Sequence, residues 1–123
     1  MSISSTTLDS RFSDILIVDT DVDETVTVDI TGGTGSVYYI QLVNSWAGSS
    51  VFFKLYDAGD VTLGTTHPIF VVKVPASTTK NLVIPDGMQF TTALSFAATD
   101  QGGSGAVGTP LPTSALTVRI VTS

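Results

Sequence analysis

The stretch ALTVRIVT, residues 115–122, decides the fold. Leu116, Val118 and Ile120 alternate with Thr117 and Arg119. Successive side chains on a strand point to opposite faces, so strict alternation marks a strand with one buried face. The apolar three face in, and Thr117 and Arg119 face out.

The same reading extends along the chain. DILIVD (14–19), ETVTVDI (24–30), SVYYIQLVN (36–44), SVFFKLYD (50–57), KNLVI (80–84) and ALSFAAT (93–99) are strand-like. In 24–30, Val26, Val28 and Ile30 share one face. In 36–44 the shared set is Tyr38, Ile40 and Leu42. In 50–57, Val51, Phe53 and Leu55 lie opposite Phe52, Lys54 and Tyr56. IFVVKVP (69–75) is nearly continuous in apolar residues, which predicts a strand covered on both sides. Turn chemistry separates these runs at 31–35, 47–49, 57–60, 75–77 and 85–87, where Gly, Pro, Asp and Ser cluster.

Composition agrees. Thr, Val, Ser, Ile, Phe and Tyr dominate, and Glu24 is the single glutamate. β-branched residues lose rotamer freedom in helices and fit a pleated surface. Short strands punctuated every 8–12 residues or so read as a sandwich or small barrel. The expected fold is an all-β, antiparallel β-sandwich of about eight strands, jelly-roll-like or immunoglobulin-like. Residues 14–123 form this single domain. Residues 1–13 read as an extended N-terminal arm, and 100–113 as a long loop with neither period.

Several function classes drop out. The chain has no cysteine, which removes disulfides, thiolate metal sites and cysteine nucleophiles. Its net charge of −6, with five basic residues, offers no electrostatic footprint for nucleic acid. No apolar run approaches the ~20 residues of a membrane-spanning helix. The first residues lack the basic start and apolar core of a secretory signal. A soluble protein made in a cytoplasm is expected, with neither nucleic acid nor membrane as partner.

A search for chemistry finds no catalytic, cofactor-binding or metal-ligating set. His67, the one histidine, precedes Pro68 and has no nucleophile or second histidine at a motif spacing. No GxSxG nucleophile elbow occurs. Asp19, Asp21 and Asp23 resemble the start of a calcium loop, but Glu24 stands where such loops need Gly, and Ile30 where they need Glu. A solvated acidic turn is the better reading. Asp57 and Asp60 flank a tight turn and suit its backbone N–H groups. The glycines at 102, 103 and 105 precede neither Lys nor a helix, so they are no phosphate cradle. The chain is not expected to be an enzyme.

What stands out is surface apolarity. Only 13% of residues are charged against 42% hydrophobic. Apolar groups on the second face of a sheet need a partner. Phe52 and Tyr56 lie opposite the core face of their strand, Trp46 sits at a turn beside Gly48, and Phe12 lies in the arm. These four are the candidate interface residues.

From Phe53 the chain reads FKLYDAGDVTLGTTHPIFVVKVPASTTKNLVIPDG, and continues through MQFTTALSFAATDQGGSG to TPLPTSALTVRIV. The KLYD run, GTT-x-P turn, P-A-S run, PDG-x-x-F turn, AAT strand end, glycine-rich loop and final V-R strand resemble small all-β structural proteins of tailed bacteriophages, especially those of aquatic bacteria. The resemblance covers more than half the chain. It implies a virion component, assembled from protein made in the host cytoplasm. By analogy of fold it implies a capsid decoration (cement) protein, binding the major capsid protein or another virion protein as a homo-oligomer, a trimer included. It brings no catalytic residue. A tail, neck or fibre component shares the same composition. A carbohydrate-binding module is the other alternative, if Trp46, Tyr38, Tyr39 and Tyr56 form a stacking platform.

Overall fold

A computed structural model describes residues 3–7, 15–103 and 108–123. Among these, eight strands form: β1 (Ile3–Thr7), β2 (Ile15–Val22), β3 (Gly35–Asn44), β4 (Val51–Asp57), β5 (Phe70–Val74), β6 (Thr78–Phe90), β7 (Leu94–Thr99) and β8 (Leu116–Thr122). They build two antiparallel sheets, ordered β1-β2-β8-β3-β6 and β5-β4-β7. The sheets pack face to face as a β-sandwich.

The core is the alternation of the sequence made solid. Ile17, Ile120, Ile40 and Leu82 form one row across the inner face of the large sheet. Phe53, Leu55, Phe96 and Ala98 meet them from the small sheet. The Phe53 and Phe96 rings lie 5.6 Å apart at 43°, a tilted contact of the kind aromatic quadrupoles favour. β8 behaves as its sequence predicts, with Leu116, Val118 and Ile120 fully buried and Arg119 exposed.

Four expectations need correction. Residues 24–30 do not form a strand. They run beside β7 with a single bridge, Thr27 to Phe96, plus bonds from Ile30 N–H to Leu94 and Ala98 N–H to Asp23. Asp29 sits at φ 48°, and Val28 is 45% exposed. A strand partner was present on one side only, so alternation alone did not hold the segment flat. Second, β5 is an edge strand. Only its Val74 is buried; Phe70 and Val72 pack partly against the core, Lys73 is exposed, and the strand is not covered on both sides.

Third, the turn at Pro85–Gly87 does not separate two strands but lies inside β6. Val37 pairs with Met88 and Tyr39 with Val83, so Tyr38 alone faces the four residues 84–87. This bulge lets Val37 and Ile40, three apart, both point inward. It also displaces Tyr38 from the core face expected for it. Gly87, at φ 79°, lies against the Tyr38 ring, where a Cβ would come within 2.8 Å.

Fourth, the second face of β4 is not open. Lys54 is 1% exposed and Tyr56 0%, and their β7 neighbours Ser95, Ala97 and Thr99 are buried as well. Of the segment 1–13, residues 3–7 form β1 at the edge of the large sheet. The remainder, Phe12 included, lies outside the described residues.

Candidate interaction face

The two outer faces of the sandwich differ. Along β4 and β7 the outer face of the small sheet is covered, while Lys73 of β5 stays exposed. Gly102 lies against the Phe52 ring so closely that a Cβ would come within 2.7 Å. The Lys54 ammonium donates to the Gly103 carbonyl at 2.9 Å, and burial holds its pKa below the usual lysine range. Burial pushes the Tyr56 phenol up, and its hydroxyl has no hydrogen-bond partner among the described residues.

Carboxylates fix the covering loop. The Ser114 N–H donates to Asp21 at 2.7 Å, and Leu111 N–H to Glu24 at 3.2 Å. Thr109 donates to Asp100 through both its N–H, at 2.9 Å, and its hydroxyl. These bonds hold Asp21 and Asp100 below the usual carboxylate range. The acidic stretch 19–24 thus serves as a clasp for residues 111–114. Asp19 itself is buried and accepts from Asp21 N–H.

The outer face of the large sheet is open. Strand register places Thr6, Leu16, Val121, Tyr39 and Val83 in one row across all five strands. The next row is Ser4, Val18, Arg119, Gln41 and Asn81. None of these side chains is buried, and Val83, at 69%, is the most exposed large apolar residue described. A ladder of hydrogen bonds sets the polar row. Tyr39 Oη donates to Asn81 Oδ1 at 2.6 Å, Gln41 Nε2 donates to the same oxygen, and Arg119 donates to Gln41 Oε1 at 3.1 Å. The side chains are held in place before anything binds.

The expected interface residues fall elsewhere. Tyr56 is sealed in the small sheet and Phe52 is half-buried under Gly102. Trp46 packs partly against the core, and Gly48 sits against its indole nitrogen. The four aromatics weighed as a sugar platform do not share a face: Tyr56 is buried on the small sheet, while Tyr39 stands on the large one. Sequence reading missed the open face because Leu16 and Val18, Tyr39, Val83 and Val121 sit in four different runs. Only their cross-strand register unites them. Arg119, read as outward-facing, was the one signal that pointed there.

Among the described residues, no three His, Asp or Glu side chains converge as a metal site. His67 is exposed. A cleft of about 320 Å³ between β1 and residues 27–30 is lined by Ile3, Ser4, Ser5, Thr27 and Ile30, without a titratable side chain.

The chain matches no known protein-family model, no curated protein and no solved structure.

Proposed function

We propose that this protein is a structural component of a tailed-phage virion, a decoration protein that attaches to the capsid shell. The observation that carries the binding role is the open outer face of the large sheet, preset by the Tyr39–Asn81–Gln41–Arg119 ladder. The phage setting rests on the motifs between Phe53 and Val121.

The mechanism is additive binding. Five strands about 4.8 Å apart, crossed by strands of some seven residues, give a face on the order of 400 Å². A stable protein interface uses roughly 800 Å² per partner. One copy held by this face alone binds weakly. Many copies on a repeating shell, each bridging neighbouring subunits, add up to a cage that opposes their separation. A preformed sandwich suits the task, because few side chains have to be ordered on binding.

The test is to wash purified particles at rising salt and measure the bound fraction on a gel. Contacts that are chiefly apolar resist screening, so the protein is expected to stay bound at high salt and to leave in denaturant. Its absence from purified particles would defeat the proposal.

A further inference from the structure

We infer that the open face of the large sheet docks against a flat apolar protein surface that presents a carboxylate to Arg119, and not against a second copy of this chain. The inference rests on the reading above that the protein binds a capsid shell, and it specifies the chemistry of the bound surface.

The argument is one of charge. The chain carries eleven acidic and five basic residues. Yet the two rows across the open face contain no Asp or Glu. Their one charge is Arg119, exposed at the middle strand of the sheet. Among the described residues the acidic side chains lie instead at 19–24, Asp29, the turn at 57–60, the bulged part of β6 at Asp86, and Asp100. Among the described residues, two rows free of acids with a cation at their middle strand match a partner of the opposite sign.

The guanidinium is also prepared. Gln41 Oε1 holds one of its nitrogens at 3.1 Å, Asn81 holds Gln41, and Tyr39 holds Asn81. The fork keeps further N–H donors for a bidentate acceptor. Val18 lies beside it across the strands, so a partner that covers this face takes the guanidinium and its acceptor out of water together, which strengthens the pair. A second copy stacked on the same face about a two-fold axis near its middle sets Arg119 against Arg119, and like charges disfavour that contact. Nucleic acid is repelled by the net charge of −6.

Full-length wild type and variants would be mixed with capsid shells of the source phage lacking this protein, and dissociation constants measured by co-sedimentation. Circular dichroism checks that each variant is folded. Arg119→Gln is expected to weaken binding about tenfold, and Arg119→Glu clearly further, through repulsion. Val83→Asp is expected to weaken it about tenfold, because it puts an acid on the face beside the most exposed apolar contact described. Lys73→Gln, an exposed site on the small sheet, serves as the control and is expected to bind as wild type. Equal affinities for Arg119→Gln and Arg119→Glu, with shell binding retained, overturn the carboxylate partner but leave the decoration role standing. Wild-type binding by all variants overturns the face itself. A concentration-dependent dimer in sedimentation velocity, lost in Val83→Asp, assigns the face to a second copy and overturns the inference. Failure of the wild type to bind shells defeats the decoration role and this inference together.

Discussion

The Asp57 carboxylate closes the β6–β7 connection by accepting the Thr91 N–H at 2.9 Å. The same group takes the Thr91 hydroxyl and the Thr92 and Ala93 N–H groups. One side chain at the end of β4 thus satisfies three consecutive backbone donors where two strands of different sheets are joined.

This bond set predicts a pH dependence. Burial works against ionisation of Asp57, and the N–H bonds from Thr91, Thr92 and Ala93 outweigh it, holding the carboxyl below its usual range. A carboxylate with a lowered folded pKa stabilises fully above its unfolded value, about 3.9, and the contribution disappears as pH falls through the folded value. Asp57→Ala is expected to cost about 1 kcal/mol at neutral pH, as loss of a comparable cap does. The difference from wild type should shrink below pH 4. Thermal melts across pH measure it, and an unchanged gap at pH 2–3 would count against the assignment.

Tyr56 gives a second test. Its hydroxyl is buried without a partner among the described residues, so the phenol carries a desolvation cost that no bond offsets. Tyr56→Phe is expected to leave stability unchanged or raise it by up to about 1 kcal/mol. Chemical denaturation reads this directly, and a loss above about 1 kcal/mol would reveal a hydrogen bond.

The covering loop supplies a third. Asp21 holds the Ser114 N–H at 2.7 Å. Asp21→Ala is expected to raise amide exchange at Ser114 with or without calcium. Millimolar calcium should change the melting temperature of wild type little. A large rise that vanishes in Asp21→Ala would restore the stretch at 19–24 as a calcium loop.

His67→Ala is expected to leave folding and particle binding intact, because the imidazole is exposed and stands outside the open face. Loss of binding in this variant would move the functional surface to the 58–69 connection.

Much of the fold was legible because alternation is a local property. Residues 116–122 carried their own burial pattern in sequence, as did the inward set Val51, Phe53 and Leu55. The failures share a cause. Val28 alternates with its neighbours yet is exposed, because Asp29 at φ 48° ends the extended run. Tyr38 left its expected face because residues 84–87, distant in sequence, bulge opposite it. Phe52 and Lys54 looked solvent-facing because nothing in the local pattern announces that Gly102 and Gly103 fold over them. The open face depends on register among five strands, and register is a long-range quantity.

The central claim is that the outer face of the large sheet is the surface by which this protein joins a virion. A cryo-EM reconstruction of the source phage particle tests it most directly. The account predicts eight-stranded density on the shell, with the row from Leu16 to Val83 turned toward the coat and Lys54 and Tyr56 turned away from it. Density with that row facing solvent, or a particle without the protein, would contradict it.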